Sequence, residues 1–294
     1  MPPYKYRVSS TDSWEQLGEA GEQKVSAAIP KDFFCFRNLL VPCQHGKDYE
    51  EIDLVAVGPT GIWSIEVKNW RGIAYPGGYR EELIFIRNTP DGHHTSYRDN
   101  PYDQARCHSE DLYDYLKKNL KEWFPPIHTL VVFASRDPDG VNGADLSRVR
   151  PANPSIIYLE EMTNVLSDSR RIVQAWDKQH KVKDALGKLR TWDVIHFRNG
   201  ERRRGLLCQW SGLKIKSGDQ AIPIRWEKVS RVEVITGGKQ SPLSIRFVLQ
   251  SGDKHAGALV EDVISVQLPD GNIEPIKLAE IKEIYTGFHQ GTVT

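Results

Sequence analysis

The chain has 294 residues, 39% of them hydrophobic and 27% charged, and its 39 Lys and Arg residues equal its 39 Asp and Glu residues. This composition is typical of a globular protein of about two domains, and the zero net charge excludes a strong general attraction for polyanions. No stretch approaches the roughly 18 consecutive apolar residues of a membrane span, and the N-terminus lacks the apolar segment of a signal peptide. We therefore expect a cytoplasmic protein that binds no membrane.

The cysteines indicate neither a zinc cage nor a disulfide framework, because none of them belongs to a C-x-x-C pair. We predict that all of them are buried, reduced thiols. They are Cys35, Cys43, Cys107 and Cys208.

The first half of the chain alternates helical and extended patterns. Ser13 as N-cap, with Gln16 three residues later, predicts a helix that ends at Pro30. Runs rich in β-branched and aromatic residues, bounded by Gly, Pro or Asn, then predict strands. These strands cover residues 33–41, 51–57, 62–68 and 82–87.

A second helix and an apolar strand follow. Asn100 and Pro101 are typical of an N-cap and a first helical position. The run 127–134 is almost wholly apolar, which is typical of a strand covered on both faces. With a strand over 155–159 and further helical segments, the pattern predicts an α/β domain at 1–190 in which helices flank a mixed central sheet.

From residue 191 onward the pattern changes to short strands separated by Gly turns, and it occurs twice. The glycines recur at an offset of 52 residues, as Gly200 and Gly205 and again as Gly252 and Gly257. Repetition of this kind indicates a duplicated unit. We predict an all-β domain at 191–294 made of two tandem SH3-like or Sm-like small barrels, at about 191–240 and 241–290. Such barrels are expected to target the protein or to bind a protein partner.

The segment 51–68 carries the residues that point to chemistry. If residues 58–61 form a hairpin loop, Asp53 lies opposite Glu66, with the two side chains on one face and their β-carbons about 5 Å apart. Lys68, two residues beyond Glu66, projects from that same face.

Two carboxylates this close on a buried strand pair repel each other unless a cation lies between them. A hard divalent ion such as Mg²⁺ or Mn²⁺ binds one or two carboxylates together with water and phosphate oxygens. Lys68 beside such an ion can hold the attacking water and neutralise charge that develops on the phosphate. The pattern therefore predicts metal-dependent hydrolysis of phosphodiester bonds.

The alternative is a cross-strand ion network on a solvated sheet face. Against it, Val55 and Val57 share the predicted face of Asp53. The other face is expected to carry Ile52, Leu54, Ala56, Trp63, Ile65 and Val67. Neither face is predicted to be exposed, so the buried charges favour a functional role.

These residues resemble the nuclease-related domain, NERD, a branch of the PD-(D/E)xK nuclease superfamily. The resemblance covers roughly residues 13–135, and it rests on G-E-A-G-E at 18–22, on I-D-L-V-A-V-G-P-T-G-I-W-S-I-E-V-K-N-W-R-G at 52–72 and on N-P-Y-D-Q at 100–104. It implies an αβββαβ nuclease core.

The resemblance also implies a role for each site residue. The metal would be bound by Asp53, Glu66 and the backbone carbonyl of Val67, and Lys68 would assist the attacking water. The catalytic set would be completed by Glu22 from the first helix and Gln104 from the later helix.

Other polar residues carry weaker indications. Glu19 is an alternative to Glu22 or an exposed charge. Glu51 pairs with Lys68 in the predicted register, where it either tunes the lysine or forms a rim ion pair. The candidate nucleic-acid contacts are Asn69, Arg71, Arg202, Arg203 and Arg204, the last three being equally compatible with an exposed charge run. Trp70 either lines a nucleic-acid groove beside Asn69 and Arg71 or packs inside the protein. His93 and His94 are expected to lie in a solvated loop.

The leading hypothesis is a Mg²⁺- or Mn²⁺-dependent endonuclease that cleaves DNA, and the resemblance suggests prokaryotic DNA processing or defence against foreign DNA. RNA is an alternative substrate for the same site. A third hypothesis is a non-catalytic nucleic-acid-binding or scaffold subunit of a larger complex. Homodimerisation is expected from the habits of the superfamily.

Overall fold

The computed structural model describes most of the chain. The described residues are 14–43, 49–77, 82–89, 92–168, 179–208, 214–217, 220–223, 228–235, 244–249, 251–258 and 263–287. Ser13, the predicted N-cap of the first helix, lies outside them. Within them, no helix combines the length and the apolar character that a membrane crossing requires.

A five-stranded mixed sheet forms the centre of the first half, as the apolar run 127–134 predicts. Its strand order is β1-β2-β3-β7-β9, with antiparallel pairs from β1 to β3 and parallel pairs from β3 to β9. The strands are β1 (Phe34–Pro42), β2 (Tyr49–Gly58), β3 (Gly61–Lys68), β7 (Ile127–Phe133) and β9 (Ile156–Tyr158).

Helices cover both faces of this sheet, which explains why its central strands are apolar on both sides. The helices are α1 (Trp14–Ala27), α2 (Pro101–Leu120), α3 (Leu159–Leu166) and α4 (Gln179–Leu186). On one face, Val25 of α1 and Met162 of α3 pack against Leu54 and Ile65. On the other face, Leu112 of α2 packs in a cluster with Val182 of α4 and with Val55 and Val57 of β2. The predicted α/β class is confirmed.

The start of α2 follows the sequence signals closely. Asn100 is the N-cap, with its side-chain oxygen accepting a hydrogen bond from the Tyr102 backbone N–H at 3.1 Å, and Pro101 is the first helical residue. This cap satisfies one of the backbone donors that every helix start leaves unpaired.

A second, four-stranded sheet has the order β6-β5-β4-β8. Its strands are β4 (Gly72–Pro76), β5 (Glu82–Thr89), β6 (Gly92–Asp99) and β8 (Ala144–Asp145). Phe85 of β5 packs against Phe133 of the central sheet, which joins the two sheets. The expectation of a loop at His93 and His94 is wrong, because both residues pair with β5 as part of the exposed strand β6.

The described part of the chain after residue 192 is almost entirely β. Its strands are β10 (Asp193–Phe197), β11 (Arg202–Leu207), β12 (Lys214–Ser217), β13 (Gln220–Pro223), β14 (Val229–Ile235), β15 (Ser244–Leu249), β16 (Lys254–Ala258), β17 (Val263–Gln267), β18 (Ile273–Lys277) and β19 (Ile281–Tyr285). They form one ten-stranded sheet in the order β13-β12-β16-β15-β14-β19-β10-β11-β17-β18.

The duplication seen in the sequence is present in this sheet, but its two copies exchange strands. The first strand of the first copy, β10, pairs with β19, the last strand of the second copy, and β15 pairs with β14 in the corresponding way. At the centre of the sheet, Val232 pairs with Ile284, its counterpart in the other copy. A local two-fold relation between the copies therefore passes through this pair.

The strand order changes the predicted picture of two separate barrels. The described ladders join both copies in one continuous sheet, and they close neither copy into a barrel of its own. The reason is that a repeat pattern specifies which strands form, but the same pattern is satisfied whether a strand pairs within its copy or with the other copy.

Candidate active site

The hairpin of β2 and β3 has the predicted register. Val57 pairs with Ile62 and Leu54 pairs with Ile65 across the hairpin. The paired ladder ends at that second pair, one position before Asp53 and Glu66. The two carboxylates therefore lie just beyond the last pair of the ladder.

The backbone is irregular at Asp53. On the other side of β2, the ladder with β1 skips Asp53 and Asn38, and Asn38 adopts a left-handed backbone conformation with φ 53°. The face of the strand changes here, because Ile52 packs in the cluster of Val55 rather than with Leu54. The prediction that Ile52 lies on the face opposite Val55 is wrong, since such an irregularity reverses side-chain alternation beyond it.

The side chain of Asp53 bonds the backbone of the neighbouring strand β3. Its Oδ2 accepts a hydrogen bond of 2.7 Å from the Val67 backbone N–H. Burial raises the pKa of Asp53 well above its usual range, and the nearby charges of Glu66 and Glu22 raise it further. Asp53 is thus a carboxyl group that resists ionisation unless positive charge approaches it.

Glu66 lies deeper than Asp53 and has two polar neighbours. It is 3% exposed, and its Oε1 accepts a hydrogen bond of 2.5 Å from the Lys68 Nζ. Lys68 also donates to the Gln104 Oε1 at 3.2 Å. Burial raises the pKa of Glu66, but contacts with His108 and Lys68 outweigh burial, so the net shift of this pKa is downward.

Helix α2 contributes a residue that the sequence analysis did not identify. His108 is 4% exposed, and its Nδ1 lies 3.2 Å from the Glu66 Oε2. The available signal was spacing, because residues four apart share one face of a helix, and Gln104 was already a candidate. A lone histidine on a helix gives little indication by itself.

Glu22 of α1 is the third carboxylate of the site. It is 9% exposed, its Oε2 has no hydrogen-bond partner, and the Arg37 guanidinium lies 3.8 Å from that oxygen. Gly21 lets the helix approach the end of β3, since a β-carbon there would lie 3.3 Å from the Asn69 Cβ. Glu19, the alternative to Glu22, pairs instead with Arg202 at 3.3 Å.

The carboxylates of the site fit a divalent cation, because some of their buried oxygens have no hydrogen-bond partner. Two buried carboxylate oxygens, Glu22 Oε2 and Glu66 Oε2, have no hydrogen-bond partner. Buried acceptors are normally paired, so such atoms mark a place where a further ligand is wanted. No three His, Cys, Asp or Glu side chains in the described ranges already form a ligand cage. Magnesium sites commonly use only one or two protein carboxylates and retain several waters.

Residues 17–134 match the family model of the nuclease-related domain, NERD. This match confirms the resemblance found in the sequence, and it contains all of the residues described in this site so far except Arg202. No curated protein and no solved structure matches the chain.

The residues that follow Lys68 have different environments. Trp70 packs edge-on against Phe85 and Phe133, with ring centroids 5.3 and 5.9 Å away. Two cations lie over its ring, Lys68 Nζ at 5.4 Å and the Arg98 guanidinium at 4.9 Å from the centroid. Trp70 therefore packs and also supports the lysine. Asn69 is half-buried, and Arg71 is exposed.

Glu51 does not pair with Lys68 as predicted. Its carboxylate accepts hydrogen bonds from the Trp192 Nε1 at 2.9 Å and from Arg204 at 3.4 Å. The prediction is wrong because the register of β2 and β3 stops before Glu51 and the strand changes face at Asp53. Burial raises the pKa of Glu51, and Arg204 opposes this rise.

The basic cluster after β10 faces carboxylates of both halves of the chain. Arg202 contacts Glu19, Arg203 contacts Glu201 and Glu274, and Arg204 contacts Glu51. Two of the three arginines therefore join the C-terminal sheet to the part of the chain that matches the NERD model, residues 17–134, which we call the NERD region. Contact with phosphate remains a prediction for them, as it does for Asn69 and Arg71.

Proposed function

We propose that the NERD region is a nuclease that hydrolyses phosphodiester bonds with Mg²⁺ or Mn²⁺, most readily in DNA. The observation that carries the proposal is the Lys68 ammonium, held between Glu66 and Gln104 beside the buried carboxyl of Asp53. A structural ion pair would need one acid for one lysine. This group has three acids, Asp53, Glu66 and Glu22, and two of their buried oxygens have no hydrogen-bond partner.

The proposed roles follow from these contacts. Asp53, Glu66 and the Val67 carbonyl would hold the ion, which when bound polarises the phosphate and lowers the pKa of a bound water. The Val67 N–H fixes the orientation of the Asp53 carboxylate through its 2.7 Å bond. Glu22 adds negative charge from α1, which strengthens the attraction for a cation.

Lys68 serves the reacting phosphate. Its Nζ has three donor positions, and Glu66 and Gln104 occupy two of them. The remaining N–H can donate to a water or to a phosphate oxygen as charge develops on it. The hydrogen bond to Gln104 holds the ammonium between Gln104 and Glu66, and the ammonium also lies over the Trp70 ring.

Cleavage assays with matched variants test the proposal. Plasmid DNA and a long RNA would be incubated with the full chain, with Mg²⁺, with Mn²⁺ and with a chelator. We expect Lys68→Ala and Asp53→Ala to lose at least about 10²-fold in rate, as is usual when one group that stabilises the transition state is removed. The exposed residues Lys117 and Glu110 supply the controls Lys117→Ala and Glu110→Gln, which should cleave like the wild type.

The pattern of results also decides between the substrates. Cleavage of DNA that needs a divalent ion supports the proposal, and cleavage confined to RNA moves the same site to the alternative substrate. Cleavage that survives in both site variants contradicts the assigned site. Absence of cleavage from the wild type under every condition would favour a scaffold role.

The wider setting is part of the same proposal. A nuclease of this kind would suit prokaryotic DNA processing or defence against foreign DNA, with the C-terminal sheet binding a partner or a second copy of the chain. Two arginines of that sheet already contact Glu19 and Glu51, close in sequence to Glu22 and Asp53. A partner bound there would therefore lie near the elements that carry the site.

A further inference from the structure

His108 is buried between two carboxylates. Its Nδ1 lies 3.2 Å from the Glu66 Oε2, and its Nε2 lies 3.8 Å from the Glu50 Oε2. His108 is 4% exposed, and it lies on the buried side of α2 together with apolar core residues such as Ala105 and Leu112. A buried imidazole in such a place is costly unless its nitrogens have partners.

The facing atoms of His108 and Glu66 have no other partner. Neither the Nδ1 nor the Glu66 Oε2 meets hydrogen-bond geometry with any described residue. A small rotation of the ring would align the Nδ1–H with this oxygen, because the separation already suits a hydrogen bond. A carboxylate oxygen has two lone pairs, so accepting from His108 leaves one of them for a cation.

We propose that His108 is a positioning residue that fixes the Glu66 carboxylate for a divalent cation. This inference rests on the proposed function and adds to it a side chain from α2. Lys68 fixes one oxygen of Glu66, and His108 fixes the other. With both oxygens held, the carboxylate cannot rotate away from Asp53, and the entropy of its side-chain torsions is lost before the ion arrives.

The geometry assigns the effect to one ring nitrogen, which allows a sharp test. The side-chain nitrogen of asparagine lies close to the place of a histidine Nδ1, whereas the nitrogen of glutamine reaches the place of Nε2. His108→Asn should therefore keep the donor to Glu66, and His108→Gln should lose it. His108→Leu removes both nitrogens but retains an apolar side chain of similar reach.

The measurement is Mn²⁺ binding to the full chain without nucleic acid, followed by electron paramagnetic resonance, with cleavage assayed in parallel. Removal of a side chain that orients a metal ligand typically weakens metal binding by about 10- to 100-fold. We expect that loss for His108→Gln and His108→Leu, and Mn²⁺ affinity within about threefold of the wild type for His108→Asn. Ser109→Ala is the control, because Ser109 is buried on the same helix and bonds Ala105 and Thr129.

The outcomes separate this inference from the proposed function. Equal Mn²⁺ affinities for the Asn and Gln variants, or an unchanged affinity in all three variants, would overturn the positioning role of His108. If the wild type cleaves nucleic acid, the proposed nuclease function still stands in that case. A wild type that binds Mn²⁺ but cleaves nothing would refute the nuclease, and the order of affinities would still decide on His108. A wild type that does not bind Mn²⁺ overturns both. The thermal unfolding midpoint of each variant shows whether a loss of Mn²⁺ affinity is caused by unfolding of the protein.

Discussion

The central sheet of the first half of the chain and the C-terminal sheet differ in how their strands and their charged groups are paired. In the central sheet the ladder with β3 ends beside Asp53, the ladder with β1 skips this residue, and two buried carboxylate oxygens nearby lack a hydrogen-bond partner. In the C-terminal sheet the bulged pairing of β10 with β19 recurs in the pairing of β14 with β15, and Glu233 is paired with two arginines. The contrast teaches that buried polar atoms without a hydrogen-bond partner are concentrated where chemistry is proposed, whereas Glu233 in the C-terminal sheet has its charge paired.

The largest expected effect on stability lies in the core of the C-terminal sheet. Phe247 of β15 is 2% exposed in the C-terminal core. Phe247→Ala should lower the free energy of unfolding by about 3–5 kcal/mol, because it removes a large buried side chain and leaves a cavity. Urea unfolding followed by tryptophan fluorescence measures this change.

Ile273 offers the control for that prediction. It is 63% exposed on the edge strand β18, so Ile273→Ala should change the free energy of unfolding by less than about 0.5 kcal/mol. Similar losses for the two variants would show that the C-terminal core is not packed as described.

A change of the opposite sign is expected at the interrupted ladder. Asp53→Asn removes a carboxyl group whose pKa is raised in the folded protein by burial and by the charges of Glu66 and Glu22, so that its ionisation opposes folding. The amide oxygen of the variant can still accept from the Val67 N–H. Without metal, the free energy of unfolding at pH 7 should rise by about 0.5–2 kcal/mol, as is common when a functional group is neutralised. The rate of nucleic-acid cleavage by Asp53→Asn should fall at the same time, because a proposed metal ligand is lost.

The exposed Asp139 provides a comparison, because Asp139→Asn should alter neither stability nor cleavage. A clear loss of stability in Asp53→Asn would contradict the view that the folded protein is strained by charge at this position. The gain should disappear when Mg²⁺ is added, since only the wild type is then stabilised by binding.

The smallest effect concerns the cysteines, of which only Cys35 is buried. Burial raises the pKa of this thiol to about 11, from an ordinary value of 9.0. Folding thus favours the protonated thiol, and its contribution to stability is lost as the pH rises from about 9 through 11. A thiol reagent at pH 8 should react fast with Cys107 and Cys208 and should reach Cys35 only after unfolding.

Rapid reaction of all four thiols in the folded protein would contradict this burial. The sequence-based prediction of four buried thiols is itself wrong, because Cys107 and Cys208 are exposed and Cys43 is half-exposed. Cysteine is usually buried, and sequence alone does not show which face of a helix or turn meets solvent.

The elements that the sequence predicts well depend on local signals. Strong β-branched runs and the Asn100–Pro101 pair define their elements within one or two residues, and the tight loop fixes the register of β2 and β3. The acids and lysine of the site follow from that register. The short or polar strands β4 and β6 give no such signal, and both were missed.

What the sequence does not reveal depends on distant contacts. The change of face at Asp53 needs the left-handed backbone of Asn38, which nothing in the local pattern indicates. The burial of His108 arises only when α2 packs on the sheet. Glu51 finds its partners in Trp192 and Arg204, more than a hundred residues away in the chain.

The exchange of strands in the C-terminal sheet has a consequence for biosynthesis. Within this sheet β10 is synthesised first and β19 last. Because β10 pairs with β19, one edge of β10 stays uncovered until β19 has left the ribosome. Contacts over such sequence distances slow folding and leave strand edges open to other chains in the meantime. We therefore expect nascent chains that stop short of residue 281 to depend on chaperones, whereas the first half of the chain, whose last helix α4 precedes β10, can fold while translation continues.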